Sequence, residues 1–267
     1  TFYVWFDALL GYLSAFSDEA VPSRIDDFIH SGWPVDLHVI GKDILRFHAI
    51  YWPAMLISAG LPLPKRIFGH GFLTREGRKM GKSIGNVLDP RELLDEYGTD
   101  AVRWYLLRDI KFGQDGDFQL KRFVELVNND LANTIGNLLN RTSSMTRRWF
   151  DNAVPFRNIG VDAKHELQLV AEQTIGIVRN SFESMQFQEA AEAILKLATT
   201  ANLYLNERAP WKLMKAPGRE DEVGNDLYCV LESCRVVGIL LNPLLPSLSN
   251  RLLCQLGLDI DPDNWLD

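Results

Sequence analysis

From Leu120 to the end of the chain no strand pattern appears, and this restricts the second half to helices packed on helices. Three long segments, "FVELVNNDLANTIGNLLNRTSSMTRRWF", "HELQLVAEQTIGIVRNSFESM" and "FQEAAEAILKLATTANLYLNE", place apolar residues three and four apart, the spacing that lines one face of a helix. Residues 151–162 and 209–221 read as the main loops, and "PLLPSLSNRLLCQLG" as the start of a last helix. No internal repeat or low-complexity tract interrupts this order. A helical bundle over 119–267 is the expected product.

The first 118 residues have another texture. "LHVIGKD" reads as a buried strand, Leu37 to Ile40, stopped by Gly41 and passing into a helix from Ile44 to Ala59. A proline-punctuated loop leads to a second strand near Ile67 to Leu73, with "TREGRKM" as a polar turn beyond it. Asp89 has the chemistry of an N-cap, Pro90 suits the first helical position, Gly98 suits the C-terminal cap, and a new helix starts at Thr99. The fold class is therefore α/β over 1–118 followed by all-α over 119–267.

A net charge of −7 over 267 residues argues against indiscriminate nucleic-acid binding, so any anion must be met locally. No run reaches the roughly 18 apolar residues of a membrane span, and the opening residues carry no basic leader. Three cysteines without a Cys-x-x-Cys pair indicate neither a disulfide framework nor a zinc knuckle. A reduced, cytoplasmic location is the expectation, with an organelle left open.

One window contradicts the overall acidity. Between Lys65 and Lys82 lie six basic residues against the single Glu76, on what reads as a loop softened by Gly77, Gly81 and Gly85. Such a cluster is either a solvated hairpin tip or a mobile arm that closes over a polyphosphate. In the second case Lys79 and Lys82 supply charge to oxygens that become more negative as phosphoryl transfer proceeds.

"KMGKS" at 79–83 resembles the KMSKS signature of class I aminoacyl-tRNA synthetases, through Lys79, Met80, Lys82 and Ser83, with Gly81 replacing the usual serine. "YVWFDALLGYL" resembles the amino-acid pocket segment of methionyl-tRNA synthetases, with Trp5, Ala8 and Tyr12 at matching positions. "GKDILRFHAIYWPAML" is similar to that family's next block, which implies that Gly41 and Asp43 face the ATP ribose and that His48 and Trp52 approach the methionine side chain. The resemblance covers essentially the whole chain. It implies that the first part is the C-terminal half of a Rossmann-like nucleotide-binding domain and that the second is an anticodon-binding bundle. It implies further that Lys79 and Lys82 are catalytic and that Met80 and Ser83 join them in binding ATP.

The residues themselves leave blander roles open. His48 and Trp52 share a helix face and would serve a thioether, which wants a soft aromatic surround, but aromatics at helical spacing also simply pack. Asp43 suits an N-cap for the helix after Gly41 as well as a ribose ligand. Asn137 and Arg141 stand four apart on one helix face, either as a polar stripe or as readers of base edges, and Trp211 in a proline-flanked loop either stacks on a base or wedges between helices. The resemblance implies that all three read the CAU anticodon, with Arg147 and Arg148 suited to stem phosphates.

The His-x-Gly-His motif that the family uses against the ATP phosphates is absent, and the chain opens in mid-motif. The expectation is a C-terminal portion of a synthetase, without a zinc site and inactive in adenylation by itself. The implied reaction of the intact enzyme joins methionine to AMP from ATP, supplied with Mg2+, and then transfers it to tRNA(Met). Leucyl, isoleucyl, valyl and cysteinyl synthetases share the loop signature, but "WFDALLGY", "GKDILRFH" and "NLLNR" together favour methionine. A rival of another class is a non-catalytic tRNA-binding module derived from a synthetase, against which retention of both lysines, Asp43 and the aromatic set speaks. A P-loop phosphotransferase fails on the glycine spacing before "GKS".

Overall fold

The computed structural model describes residues 4–16, 32–155 and 165–258. The expected loop at 151–162 lies in part outside them. Contacts divide the chain into two compact units, Thr1–Leu73 with Gly113–Gly116, and Thr74–Phe112 with Asp117–Asp267.

In the first unit, helix α1 (Val4–Ser14) is followed by strand β1 (Leu37–Gly41), a helical stretch that ends in α2 (Trp52–Ser58), and strand β2 (Arg66–His70). β1 and β2 pair in parallel, with Leu37 opposite Arg66 and Gly41 opposite His70. Two parallel strands joined through a helix form the expected α/β unit. Leu9, Leu13, Trp33, Trp52, Leu56 and Leu61 make its core.

The helix expected from Ile44 to Ala59 is not uniform. It opens with a 3-10 turn, Lys42–Ile44, is briefly α-helical at Leu45 and Arg46, widens to a π turn, Phe47–Tyr51, and returns to α-helix from Trp52. Pro53 explains the widening: it has no N–H to give back to the preceding turn and its ring crowds that turn's carbonyl, so the backbone bonds instead from Trp52 N–H to Phe47 O. The N-cap is Gly41, which corrects the capping role allowed for Asp43; that residue lies within the first turn and is exposed.

Next in the chain, β3 (Leu73–Arg75) and β4 (Arg78–Lys79) form an antiparallel hairpin, and β5 (Gly116–Phe118) pairs with the other edge of β3. The "TREGRKM" segment is thus a hairpin, not a turn beyond a strand, and the preceding strand ends at His70. Glu76 and Gly77 turn the chain with positive φ of 50° and 72°, the primed-turn geometry that suits the twist of two-residue hairpins. Helices α3 (Pro90–Tyr97) and α4 (Thr99–Arg108) follow with the expected punctuation: Asp89 Oδ1 accepts from Arg91 N at 2.8 Å, and Gly98 closes α3 at φ 81°.

The helical half begins with one continuous stretch: α5 (Leu120–Leu126), a π segment (Val127–Gly136) and α6 (Asn137–Trp149). α7 (Glu166–Glu183), α8 (Phe187–Arg208), the one-turn α9 (Pro210–Leu213), α10 (Glu220–Leu241) and α11 (Pro246–Gln255) complete it. The segment 209–221 is therefore partly helical, because Pro210 is preorganised for a first turn. Leu138, Ile194, Leu197, Leu205, Val230 and Leu241 lie at the centre of the core. Asp226, 4% exposed, accepts from Tyr204 Oη at 2.5 Å and from Arg208 Nε at 2.8 Å, and Arg208 also reaches Glu222 at 2.6 Å. Cys229 and Cys234 are buried, and burial pushes the Cys234 thiol up to about 12.

Candidate functional site

The expected methionine-pocket residues converge in the first unit. His48 is 1% exposed and Trp52 is wholly buried. Tyr12 Oη lies 2.8 Å from His48 Nε2, and His48 Nδ1 lies 3.0 Å from Ile44 O. A carbonyl only accepts, so Nδ1 carries the imidazole proton, Nε2 is a lone pair, and the Tyr12 hydroxyl donates to it. Burial raises the Tyr12 hydroxyl above its ordinary value, which keeps that proton in place. Trp5 stacks on Phe47 with ring centroids 4.3 Å apart and meets His48 edge-on at 6.4 Å. Ala8 is exposed on α1 between Trp5 and Tyr12. Phe47 and His38 belong to this aromatic set although the sequence did not single them out; each reads locally as an ordinary helix or strand residue. The ring has polarizable faces and no free hydroxyl proton, the surround a thioether favours.

In the second unit the basic cluster is a built turn. Lys79 ends β4, and Lys82 opens a 3-10 turn, Lys82–Ile84, that closes on Gly85 at φ 69°. Asn86 staples it: its Oδ1 accepts from Gly81 N at 2.9 Å and its Nδ2 donates to Lys79 O at 3.1 Å. Lys79 and Lys82 are exposed, and neither has an ion pair among the described residues. Met80 is half-buried and Ser83 exposed on the same turn. Gly81 has an extended backbone, φ −154°, and a Cβ there would meet Ile84 at an ordinary 3.4 Å, so the turn does not require glycine.

Asp117 anchors the hairpin tip, taking bonds from Thr74 Oγ1 at 2.6 Å, Gly77 N at 2.8 Å and Gln119 Nε2 at 2.9 Å. These bonds, Thr74's first, hold its carboxyl below the usual value. A depressed carboxylate stabilises above its unfolded pKa, and that contribution is lost as pH falls through the lowered folded value. The tip is therefore expected to stay anchored at neutral pH and to loosen only below about 3.9. Amide exchange at Gly77 measures this; exchange that is already fast at pH 6, or insensitive to acid, would contradict it.

On α6, Asn137 is exposed and Arg141 half-buried on one face. Arg141 Nη2 donates to Asn206 Oδ1 at 2.7 Å, and its guanidinium carbon lies 5.4 Å from the Trp211 ring centroid. Trp211 sits in α9 with 37% of its surface exposed, so it is neither a loop residue nor a wedge sealed between helices. Asn206, in the last turn of α8, is a further member that the sequence concealed, because its partner Arg141 stands 65 residues away. Arg147 and Arg148 are exposed in the last turn of α6.

A family model described as "tRNA synthetases class I (M)" matches residues 1–143. The chain belongs to the class I methionyl-tRNA synthetases. A second model, the anticodon binding domain of methionyl tRNA ligase, matches residues 155–267 of this family member. Methionine–tRNA ligase of Nostoc sp. is 47% identical across 100% of the chain and 50% of its own length. The chloroplastic/mitochondrial methionine–tRNA ligase of Arabidopsis thaliana is 46% identical across 100% of the chain and 44% of its own length. The Mycobacterium tuberculosis methionyl-tRNA synthetase, solved with methionyl-adenylate bound, superposes with a TM-score of 0.88 at 40% identity over 98% of this chain and 51% of that one. The chain thus spans about half the length of the curated relatives it matches. Among the described residues, no group of three or more His, Cys, Asp or Glu could hold a metal, and no helix is long and apolar enough to cross a membrane.

Proposed function

We propose that the protein activates methionine with ATP and transfers it to tRNA(Met), and that these residues supply the amino-acid pocket, one side of the ATP site and the anticodon reader. The observation that carries this reading is the pair of exposed lysines, without an ion pair among the described residues, on a turn held by Asn86 in an acidic chain. In the first step a methionine carboxylate oxygen attacks the α-phosphorus of ATP and the bond to pyrophosphate breaks. Lys79 and Lys82 stabilise the charge that gathers on the departing phosphates, and no protein nucleophile is needed. In the second, a hydroxyl of the terminal adenosine takes the methionyl group and AMP leaves. Mg2+ enters with the nucleotide as part of the substrate. Gly41 and Asp43, exposed or half-exposed at the carboxyl end of β1, suit the ribose, since open α/β sheets take ligands there. We assign 1–118 to the catalytic domain and 119–267 to the anticodon domain.

ATP–pyrophosphate exchange, measured with methionine and with leucine, isoleucine, valine and cysteine, tests the first half of this reading. Exchange is expected with methionine alone, in the full-length protein; the isolated chain, which has no His-x-Gly-His motif, is expected to give none. Exchange with another of these amino acids, or in the isolated chain, would overturn the assignment. For the anticodon half, Trp211→Ala is expected to weaken binding of a CAU stem-loop by roughly 5- to 150-fold, from the loss of one stacked base at about 1–3 kcal/mol. The comparison hairpin carries GAU at the same salt; equal binding of both by the parent chain would remove Asn137, Arg141 and Trp211 from the reader.

A further inference from the structure

His38 lies at the second position of β1, 5% exposed, and none of the motifs above assigns it a role. Its Nε2 is 3.3 Å from the indole Nε1 of Trp52, fourteen residues away. An indole N–H only donates, so His38 Nε2 must present its lone pair and the ring is neutral with its proton on Nδ1. Burial first, and then the neighbouring His48, lowers its pKa below the ordinary imidazole value, which keeps that acceptor available. The His38 ring centroid lies 4.5 Å from that of Tyr12 and 5.9 Å from that of His48. It therefore packs directly within the aromatic set.

Other polar hydrogens of that set already have acceptors. Tyr12 donates to His48, His48 donates to Ile44 O, and Trp33 Nε1 donates to Pro62 O at 2.8 Å. Trp52 has the same need, and a wholly buried N–H without an acceptor is costly. We propose that His38 is a positioning residue for methionine binding: by accepting the Trp52 N–H it fixes the plane of the indole that forms one side of the amino-acid pocket. This rests on the methionine reading of the pocket and adds a residue to it. Without the acceptor the indole turns toward another partner, and the face offered to the thioether turns with it.

Three forms of the 267-residue chain test this: the parent, His38→Leu and His38→Gln. The glutamine amide oxygen stands as many bonds from Cα as imidazole Nε2 does, so it can restore the acceptor; leucine cannot. Methionine affinity is measured by NMR titration, with the Trp52 indole N–H resonance followed in 15N-labelled protein. The expected results are methionine binding by the parent, roughly tenfold weaker binding in His38→Leu with an upfield, faster-exchanging indole proton, and recovery of both in His38→Gln. If the leucine variant does not fold, His38→Asn, whose amide stops one bond short, takes its place with the same expected loss. Unchanged affinity in a folded leucine or asparagine variant, or no recovery with glutamine, overturns the role of His38 while leaving the pocket assignment intact. A parent chain that binds no methionine overturns the pocket reading itself, and His38 falls with it.

Discussion

Replacing Lys82 by alanine in the full-length protein is expected to lower the rate of methionine activation by about 100- to 1,000-fold while leaving methionine affinity within about twofold, because the ammonium meets charge that develops only as the phosphate bond breaks. The structure sharpens this expectation. Lys82 is exposed and carries no ion pair among the described residues, so its removal strips no stabilising partner from the fold. The turn that carries it depends instead on Asn86 and on Gly85 at φ 69°. A rate effect without a change in melting temperature would therefore locate the loss in the transition state. Presteady-state adenylate formation with wild-type and variant enzyme decides the matter: equal rates, or a rise in the methionine dissociation constant that accounts for the whole loss, would end the electrostatic role.

The second large effect concerns stability. Asp226→Ala leaves the Tyr204 hydroxyl and the Arg208 guanidinium without their shared acceptor in the bundle core, where Asp226 is 4% exposed. Breaking a buried pair by removing one partner costs about 3–5 kcal/mol, and the lower end applies because the Arg208 side chain keeps 37% of its surface in solvent. About 3 kcal/mol corresponds to a fall of roughly 10 °C in the melting temperature of a unit this size. Asp226→Asn, which keeps an acceptor for Tyr204, is expected to lose less. A fall below about 1 kcal/mol in the alanine variant would mean that Glu222 and solvent replace the missing carboxylate.

Where local chemistry decides the backbone, the sequence was legible. Asp89-Pro90 and Gly98 bracket α3 because an N-cap oxygen, a fixed proline φ and a left-handed glycine act within one turn. The β1–helix–β2 unit followed from an apolar run, a glycine and a helical period. For the basic window a hairpin tip was only one of two readings, and the strands β3 and β4 did not follow, since they are short and charged and their turn uses Glu76 at positive φ, a residue that rarely signals such a conformation. The sheet's third strand arrives some forty residues later, and only folding brings Asp117 to Gly77. The site behaved likewise. Residues inside motifs, such as His48, Trp52 and Arg141, were singled out from the sequence as candidates. Their supports, His38, Asn86 and Asn206, could not be, because each acts through a side-chain bond whose partner no local pattern announces.

The π segment Val127–Gly136 bears on how this chain tolerates changes in its length. A π turn holds more residues than an α turn, so a deletion there can be absorbed by relaxation to the narrower spiral, leaving both flanks facing as before. In the regular helix that follows there is no such slack. One residue removed between Leu138 and Arg147 would swing everything beyond it by about 100° around the axis, turning Arg148 away from the side it now shares with its neighbours. The chain thus carries a length buffer immediately before the face that presents Asn137 and Arg141, and a strict ruler immediately after it.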